Sequence, residues 1–332
     1  MGFQYFIPIF LCTDNNYAVP TYIAIFSLLQ NYHGVRNLKF YILTSKDFTE
    51  SNKRLLTTLK KNNLFVEMHI INMVDCYNSV PIANSRISTA TMYRLLIPKI
   101  AKMYGLNIEK CIYLDSDVVV EGDINEIYNL DIKSDYVGGV RDRDIIFDRI
   151  MDLKKKLDIP NLNKYINAGV LLLNLKKINN DGIHIKLEDV GYKSTFRYND
   201  QDVINSVCFG SIKVISDRFN VMVSSFYNDC SAYEQLGFNN IMEVYRNPLI
   251  VHYNSARKPW LYNKMFMADI WWKYVRLQEK TVQLEYIYPF IRAHKLPLRK
   301  RIVEALKTWL VYLGLFNVMK KLYNGLLVKT NF

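Results

Sequence analysis

No cysteine in this chain has a partner at metal-site or redox spacing. The five (Cys12, Cys76, Cys111, Cys208 and Cys230) are scattered, odd in number and form no CxxC. That argues against a disulfide framework or a cysteine zinc site, and for buried free thiols in a reducing cytosol. No low-complexity segment and no internal repeat is present. The N-terminal apolar run FIPIFLC has no basic residues ahead of it and is too short for a secretory signal core. The uncharged segment Thr308–Met319 near the other end falls short of the roughly 20 residues of a spanning helix.

Positive charge is also missing from most of the chain. The net charge is +12, but nine Lys or Arg against one Glu between Arg292 and Phe332 carry eight of those charges. The body is near neutral, so a basic coat for nucleic acid is excluded. What remains is 332 residues, 50% hydrophobic and 22% charged. That is enough for one large α/β domain with an appendage, or for two modest domains.

Over the first 220 residues, short apolar runs alternate with helical patterns, which predicts βαβ units around a mainly parallel sheet. YFIPIFLC, KFYILT, VEMHII, KCIYL, YVGGV and AGVLLLNL read as strands. YAVPTYIAIFSLLQNY and a Lys-rich segment from Asp47 to Lys61 read as helices, and TATMYRLLIP as a helix stopped near Pro98. From about Lys264 the pattern becomes helical and aromatic, and the tail carries Trp309, Tyr312 and Phe316 between basic flanks. That composition suits a helix lying on an anionic membrane surface; the alternative is a C-terminal helix packed on the body or on a second subunit.

The densest chemistry lies in CIYLDSDVVVEGDINEIY. An apolar strand runs into Asp115, Ser116 and Asp117. Desolvating a single ionised carboxylate costs several kcal/mol, so two acids at a strand end call for a hard divalent cation with oxygen ligands. Such a cation also holds a diphosphate. Two alternatives stay open at this point. One is a plain acidic turn. The other is the hydrophobic-DxD motif of haloacid-dehalogenase phosphatases, disfavoured because this motif follows several strands and no acidic pair follows a late apolar strand.

Six segments occur in order: CTDNNYAVP, RISTATMYRLLIP, IYLDSDVVVEGDINEIY, YINAGVLLLNLKK, YNDQDVIN and VHYNSARKPW. The series, covering roughly residues 5 to 262, resembles glycosyltransferase family 8, including its lipopolysaccharide galactosyl- and glucosyltransferases. The resemblance implies an α/β fold of the GT-A type with a mainly parallel central sheet at 1–262; the change of pattern beyond it predicts a helical basic extension at 263–332. It also implies a UDP-hexose donor (galactose or glucose), Mn²⁺ or Mg²⁺, and retention of anomeric configuration; a glycan or lipid-linked glycan acceptor fits the basic tail. The setting would be lipopolysaccharide or other cell-surface polysaccharide synthesis, on the cytoplasmic face of the plasma membrane. A non-catalytic nucleotide-sugar-binding protein of the same fold is the alternative.

By the same resemblance, Asp14, Asn16 and Tyr17 are expected around uridine, although DNN after a strand is also ordinary turn chemistry. Asp115, Asp117 and His252 are expected to ligate the metal, with Ser116 between the acids. A lone histidine is more often structural; its place in HYNSARKPW makes it a candidate ligand. Lys258 is expected at the donor diphosphate, with Ser255 where the family usually has glycine. Arg94 is expected at the donor sugar or its phosphate, the alternative being a helix-surface charge. Arg86 stands where the galactosyltransferases often have histidine. Asn167, Asp200 and Gln201 are expected around the transferred sugar, and Asp142 on the sugar and acceptor side. An amide at Gln201 is a poor nucleophile, which favours front-face attack over the covalent route of retaining glycosidases; Asp200 keeps the covalent route open.

Overall fold

Near-continuous apolar strands dictate a sheet covered on both faces, and the chain builds one. The computed structural model describes residues 5–61, 63–73, 89–144, 150–193, 196, 198–227 and 241–313. Arg86, Cys76, Cys230 and the tail beyond Leu313 lie outside them. In chain order come β1 (Phe6–Thr13), α1 (Ala18–Gln30), β2 (Asn37–Thr44), α2 (Glu50–Thr58) and β3 (Val66–Asn72). After a 3₁₀ turn over Thr89–Leu96 come α3 (Ile97–Met103), β4 (Cys111–Leu114) and β5 (Val118–Val120). Then follow β6 (Val137–Arg141), β7 (Ile166–Leu173), β8 (Ile212–Val214), β9 (Val221–Met222) and β10 (Ile250–His252).

The large sheet has the order β3-β2-β1-β4-β7-β6-β8. β1 pairs parallel with β2 and β4, β2 with β3, and β6 with β8. Only β7 is reversed, antiparallel to both β4 and β6. Ile7, Ile9, Phe10 and Leu11 of β1 are fully buried, as expected of a central strand. The chain builds outward from β1 through β2 to β3, then returns to place β4 on the other side of β1. The carboxyl ends of β1 and β4 therefore flank a topological switch point, where open α/β sheets bind their ligands.

Two details depart from the sequence expectation. Pro98 does not stop a helix but sits in the first turn of α3, where its missing N–H costs nothing; the segment before it is 3₁₀, not α. The reversal of β7 was not visible, because a wholly apolar strand carries no mark of its direction. That reversal matters for the site: it sets the beginning of β7 beside the end of β4, with Leu114 opposite Val170. Where β6 meets β7 the register shifts between Gly139 and Arg141. A Cβ on Gly139 would stand 2.6 Å from Ile166 Cδ1 and 3.1 Å from its Cβ, so a larger residue here would have to displace the Ile166 side chain.

The chain divides into two units, Met1–Val221 with Asn247–Val251, and Met222–Arg246 with His252–Phe332. The first holds the large sheet. In the second, Phe226 stacks on Phe266 with ring centroids 3.5 Å apart, and Tyr245 meets both edge-on. A helix over Ala268–Arg276 buries Trp271 and Tyr274. The final described helix, Leu298–Tyr312, is inverted: its buried positions are Glu304 and Thr308, while Leu298, Ile302, Leu306 and Trp309, with Leu313 just beyond, are at least half exposed. Among the described residues no helix is long and apolar enough to cross a membrane.

Candidate active site

β4 delivers Asp115 at its end, and the backbone pins it there: the Asp115 N–H donates to the Gly169 carbonyl of β7 at 2.7 Å. Its Oδ1 accepts from the Tyr113 hydroxyl and from Arg94 Nη2, both at 2.7 Å. Arg94 is 5% exposed, so it is no surface charge. Nη1 donates to the Ala168 carbonyl at 2.6 Å, Nε lies 2.9 Å from Asp200 Oδ2, and the guanidinium sits 4.5 Å over the Tyr113 ring. One guanidinium thus spans two carboxylates.

Asp115, Asp117 and His252 each offer one ligand atom within 4.8 Å of the others. His252 ends β10, whose first two residues belong to the first unit, and it is 3% exposed. Two carboxylates and an imidazole suit a hard to borderline divalent cation. The charge also fits: Asp115, Asp117 and Asp200 against Arg94 leave two negative charges. Burial pushes the Asp200 carboxyl up to about 6 against the opposing pull of Arg94. Burial likewise lifts the Cys12 and Cys208 thiols to about 12 and Cys111 well above its ordinary value. All three are free and buried, as the sequence implied.

Asp200 and Gln201 are neighbours that serve different networks. Asn199, in the left-handed region at φ 42°, opens the helix Asn199–Val207. Asp200 turns to Arg94 and Gln201 to β7. Gln201 Oε1 accepts from Asn167 Nδ2 and from the Ala168 N–H, each at 3.1 Å. Its Nε2 donates to Asp142 Oδ2 at 2.9 Å and to the Tyr165 hydroxyl at 3.2 Å. Asn167 Nδ2 also donates to Asp142 Oδ2 at 3.1 Å. The four predicted residues Asp142, Asn167, Asp200 and Gln201 therefore gather where β7 begins.

The sequence did not single out three supports of this cluster. Tyr165 donates to Asp202 Oδ1 at 2.5 Å, Asn220 Nδ2 donates to Asn167 Oδ1 at 2.9 Å, and Asn205 pairs with both the N–H and the carbonyl of Ile166 at 2.8 Å. Tyr165, Asp202 and Asn205 lie within the motifs YINAGVLLLNLKK and YNDQDVIN and were within reach. Asn220 had no local signal.

After β1, Asp14 Oδ1 accepts from the N–H groups of Asn16 and Tyr17 at 2.9 and 3.1 Å. This is the turn chemistry the sequence allowed, and it leaves Asn16 exposed and Tyr17 half-buried. The Ser116 hydroxyl donates to the Cys12 carbonyl at 2.8 Å and meets the Thr21 hydroxyl at 2.8 Å; Thr21 in turn lies 2.7 Å from the Tyr17 carbonyl. Buried hydroxyls thus tie the turn after β1 to the acidic turn after β4. In the second unit, Lys258 is 8% exposed and donates to the Tyr253 carbonyl at 2.7 Å. The Ser255 hydroxyl accepts from the Arg257 N–H at 3.1 Å.

A doubly covered, mainly parallel sheet with acids at its switch point defines the nucleotide-binding α/β class. Residues 8–264 match the sequence profile described as glycosyl transferase family 8, and the chain belongs to that family. It is 29% identical over 76% of its length to a putative glycosyltransferase of Haemophilus influenzae, covering 72% of that protein. It is 26% identical over 74% of its length to a lipopolysaccharide 1,2-glucosyltransferase of Escherichia coli K12, covering 70% of it. Among solved structures, the galactosyltransferase LgtC with donor and acceptor sugar analogues aligns with a TM-score of 0.64 and 25% identity, over 81% of this chain and 95% of that one.

Proposed function

We propose that the chain is a metal-dependent, retaining hexosyltransferase that moves galactose or glucose from a UDP-sugar to a glycan or lipid-linked glycan acceptor, in lipopolysaccharide or other cell-surface polysaccharide synthesis. The observation that carries this reading is the convergence of Asp115, Asp117 and His252 within 4.8 Å at the switch point. The catalytic domain spans 1–262, with 263–332 as an extension; the family match ending at residue 264 supports that division.

Asp115, Asp117 and His252 would hold Mn²⁺ or Mg²⁺. A cation held there would supply Lewis-acid chemistry that offsets charge growing on the departing UDP. Asp14, Asn16 and Tyr17 receive the uridine, Tyr17 with an aromatic face. Ser116 fixes the acidic turn, and Lys258 and Ser255 meet the diphosphate. Arg94 holds Asp115 and Asp200 in place and lies toward the donor sugar.

Gln201 has both ends of its amide engaged, so it orients the sugar rather than attacking it. Asp200 is paired with a guanidinium, which weakens it as a nucleophile. Both observations support front-face attack. The acceptor oxygen bonds to the anomeric carbon on the face from which UDP leaves. The carbon–phosphate-oxygen bond breaks, and the acceptor proton passes to the departing phosphate. Asp142 and Asn167 line the sugar and acceptor side.

The inverted C-terminal helix supports peripheral attachment to an anionic membrane, which we place on the cytoplasmic inner face. Its exposed apolar stripe is flanked by Arg299, Lys300, Arg301 and Lys307. UDP release from a panel of UDP-hexoses, with products weighed by mass spectrometry, tests the whole reading. Mn²⁺-dependent turnover of a UDP-hexose is expected. Tight UDP-sugar binding with no transfer to any acceptor would instead favour a non-catalytic binding protein.

A further inference from the structure

The inner face of the helix Leu298–Tyr312 carries an acid where a surface helix normally carries an apolar residue. Glu304 is 5% exposed, and its Oε1 lies 2.6 Å from Arg257 Nε. One turn on, the buried Thr308 hydroxyl donates to the Glu304 carbonyl at 3.0 Å, so it holds its own helix and leaves the carboxylate to Arg257. A second tie runs from Arg301 Nη2 to Asn263 Oδ1 at 3.3 Å. Both ties reach the segment that contains Lys258. Arg257 is its chain neighbour, and Leu261 and Tyr262 donate backbone N–H groups to the Lys258 carbonyl, each at 2.9 Å. The Lys258 ammonium is itself held by the Tyr253 carbonyl. A buried carboxylate is retained against its desolvation cost only when a charged partner is fixed beside it. The side chain it fixes belongs to the loop bearing the proposed diphosphate lysine.

We propose that Glu304 is a positioning residue for donor binding: through Arg257 it sets the loop that presents Lys258 to the UDP diphosphate, so the C-terminal helix is a strut of the donor site. This rests on the reading of Lys258 given above.

The test measures UDP affinity in the presence of Mn²⁺, with the donor KM and kcat, for the full chain and for Glu304→Gln, Glu304→Asp, Arg257→Gln and the swap Arg257→Glu/Glu304→Arg. Glu304→Gln and Arg257→Gln should each weaken UDP binding by about tenfold, the scale of one charge-assisted contact. The loss should appear in donor KM more than in kcat, and Glu304→Asp and the swap should recover part of it. Arg257→Gln alters a side chain that is about a third exposed, so it tests the link from the less buried end. Wild-type UDP affinity in both Gln variants would overturn the proposal. So would a loss that only tracks the folded fraction seen by near-ultraviolet circular dichroism. Lys258→Ala separates the two levels: weakened UDP binding there with no change in the Gln variants sinks the strut alone, whereas no effect of Lys258→Ala sinks the reading of the loop and the strut with it.

Discussion

Arg94 is the residue on which the acidic end of the sheet depends. It is nearly inaccessible and faces two carboxylates, so removing it leaves both acids desolvated without a counter-charge. Arg94→Met should cost about 3–5 kcal/mol of stability, read as a lower denaturant midpoint at unchanged slope. A variant with wild-type stability would contradict the ion-pair account. Asp200 adds a pH dependence. Folding raises its carboxyl from 3.8 to about 6, so between those values the folded protein keeps a proton that the unfolded chain has released. Its contribution to stability is greatest below pH 3.8 and falls as pH rises to about 6. Asp200→Asn cannot ionise and should flatten that part of the pH–stability curve; an unchanged slope would show that another group titrates there. At this scale the motifs were largely legible. Asp115, Asp117 and His252 stand in segments whose order is distinctive, and they do converge. Arg94 was named from its motif, but its pairing with Asp200 was not visible, because 106 positions separate the two in the sequence and neither residue type marks its partner.

At the scale of elements, the apolar runs located the strands that the site needs, since buried parallel strands are recognisable by continuous hydrophobicity. Direction was not recoverable for β7, and direction decides that Gly169 meets Asp115 at the end of β4. Proline is compatible with both sides of a helix boundary, so Pro98 opens a helix where the sequence alone predicts a stop. The C-terminal tail reads as a helix with an apolar, aromatic segment between basic flanks, but the inversion of Leu298–Tyr312 needed the structure: a helix presents two faces, and composition does not say which one is buried. The exposed face makes a separable prediction. Replacing Ile302, Leu306 and Trp309 together by Lys leaves Glu304 and Thr308 untouched. The variant should lose sedimentation with vesicles containing phosphatidylglycerol while keeping its rate of UDP release. Undiminished sedimentation would mean that this stripe meets protein rather than lipid.

At the scale of the molecule, the family match, the switch-point topology and the clustered acids all support the proposed nucleotide-sugar site. Truncation after Leu296 removes both faces of the C-terminal helix at once. It should raise donor KM as well as release the protein from vesicles; release with an unchanged donor KM would confine the helix to anchoring.

The central claim is that Asp115, Asp117 and His252 bind one divalent cation that carries the donor. Calorimetric titration of Mn²⁺ in the presence of UDP tests it most directly, on wild type, Asp117→Ala and His252→Ala, each with its cooperative unfolding transition verified. The account predicts one ion per wild-type chain and loss of that binding in both variants. Undiminished Mn²⁺ binding in either folded variant would contradict it.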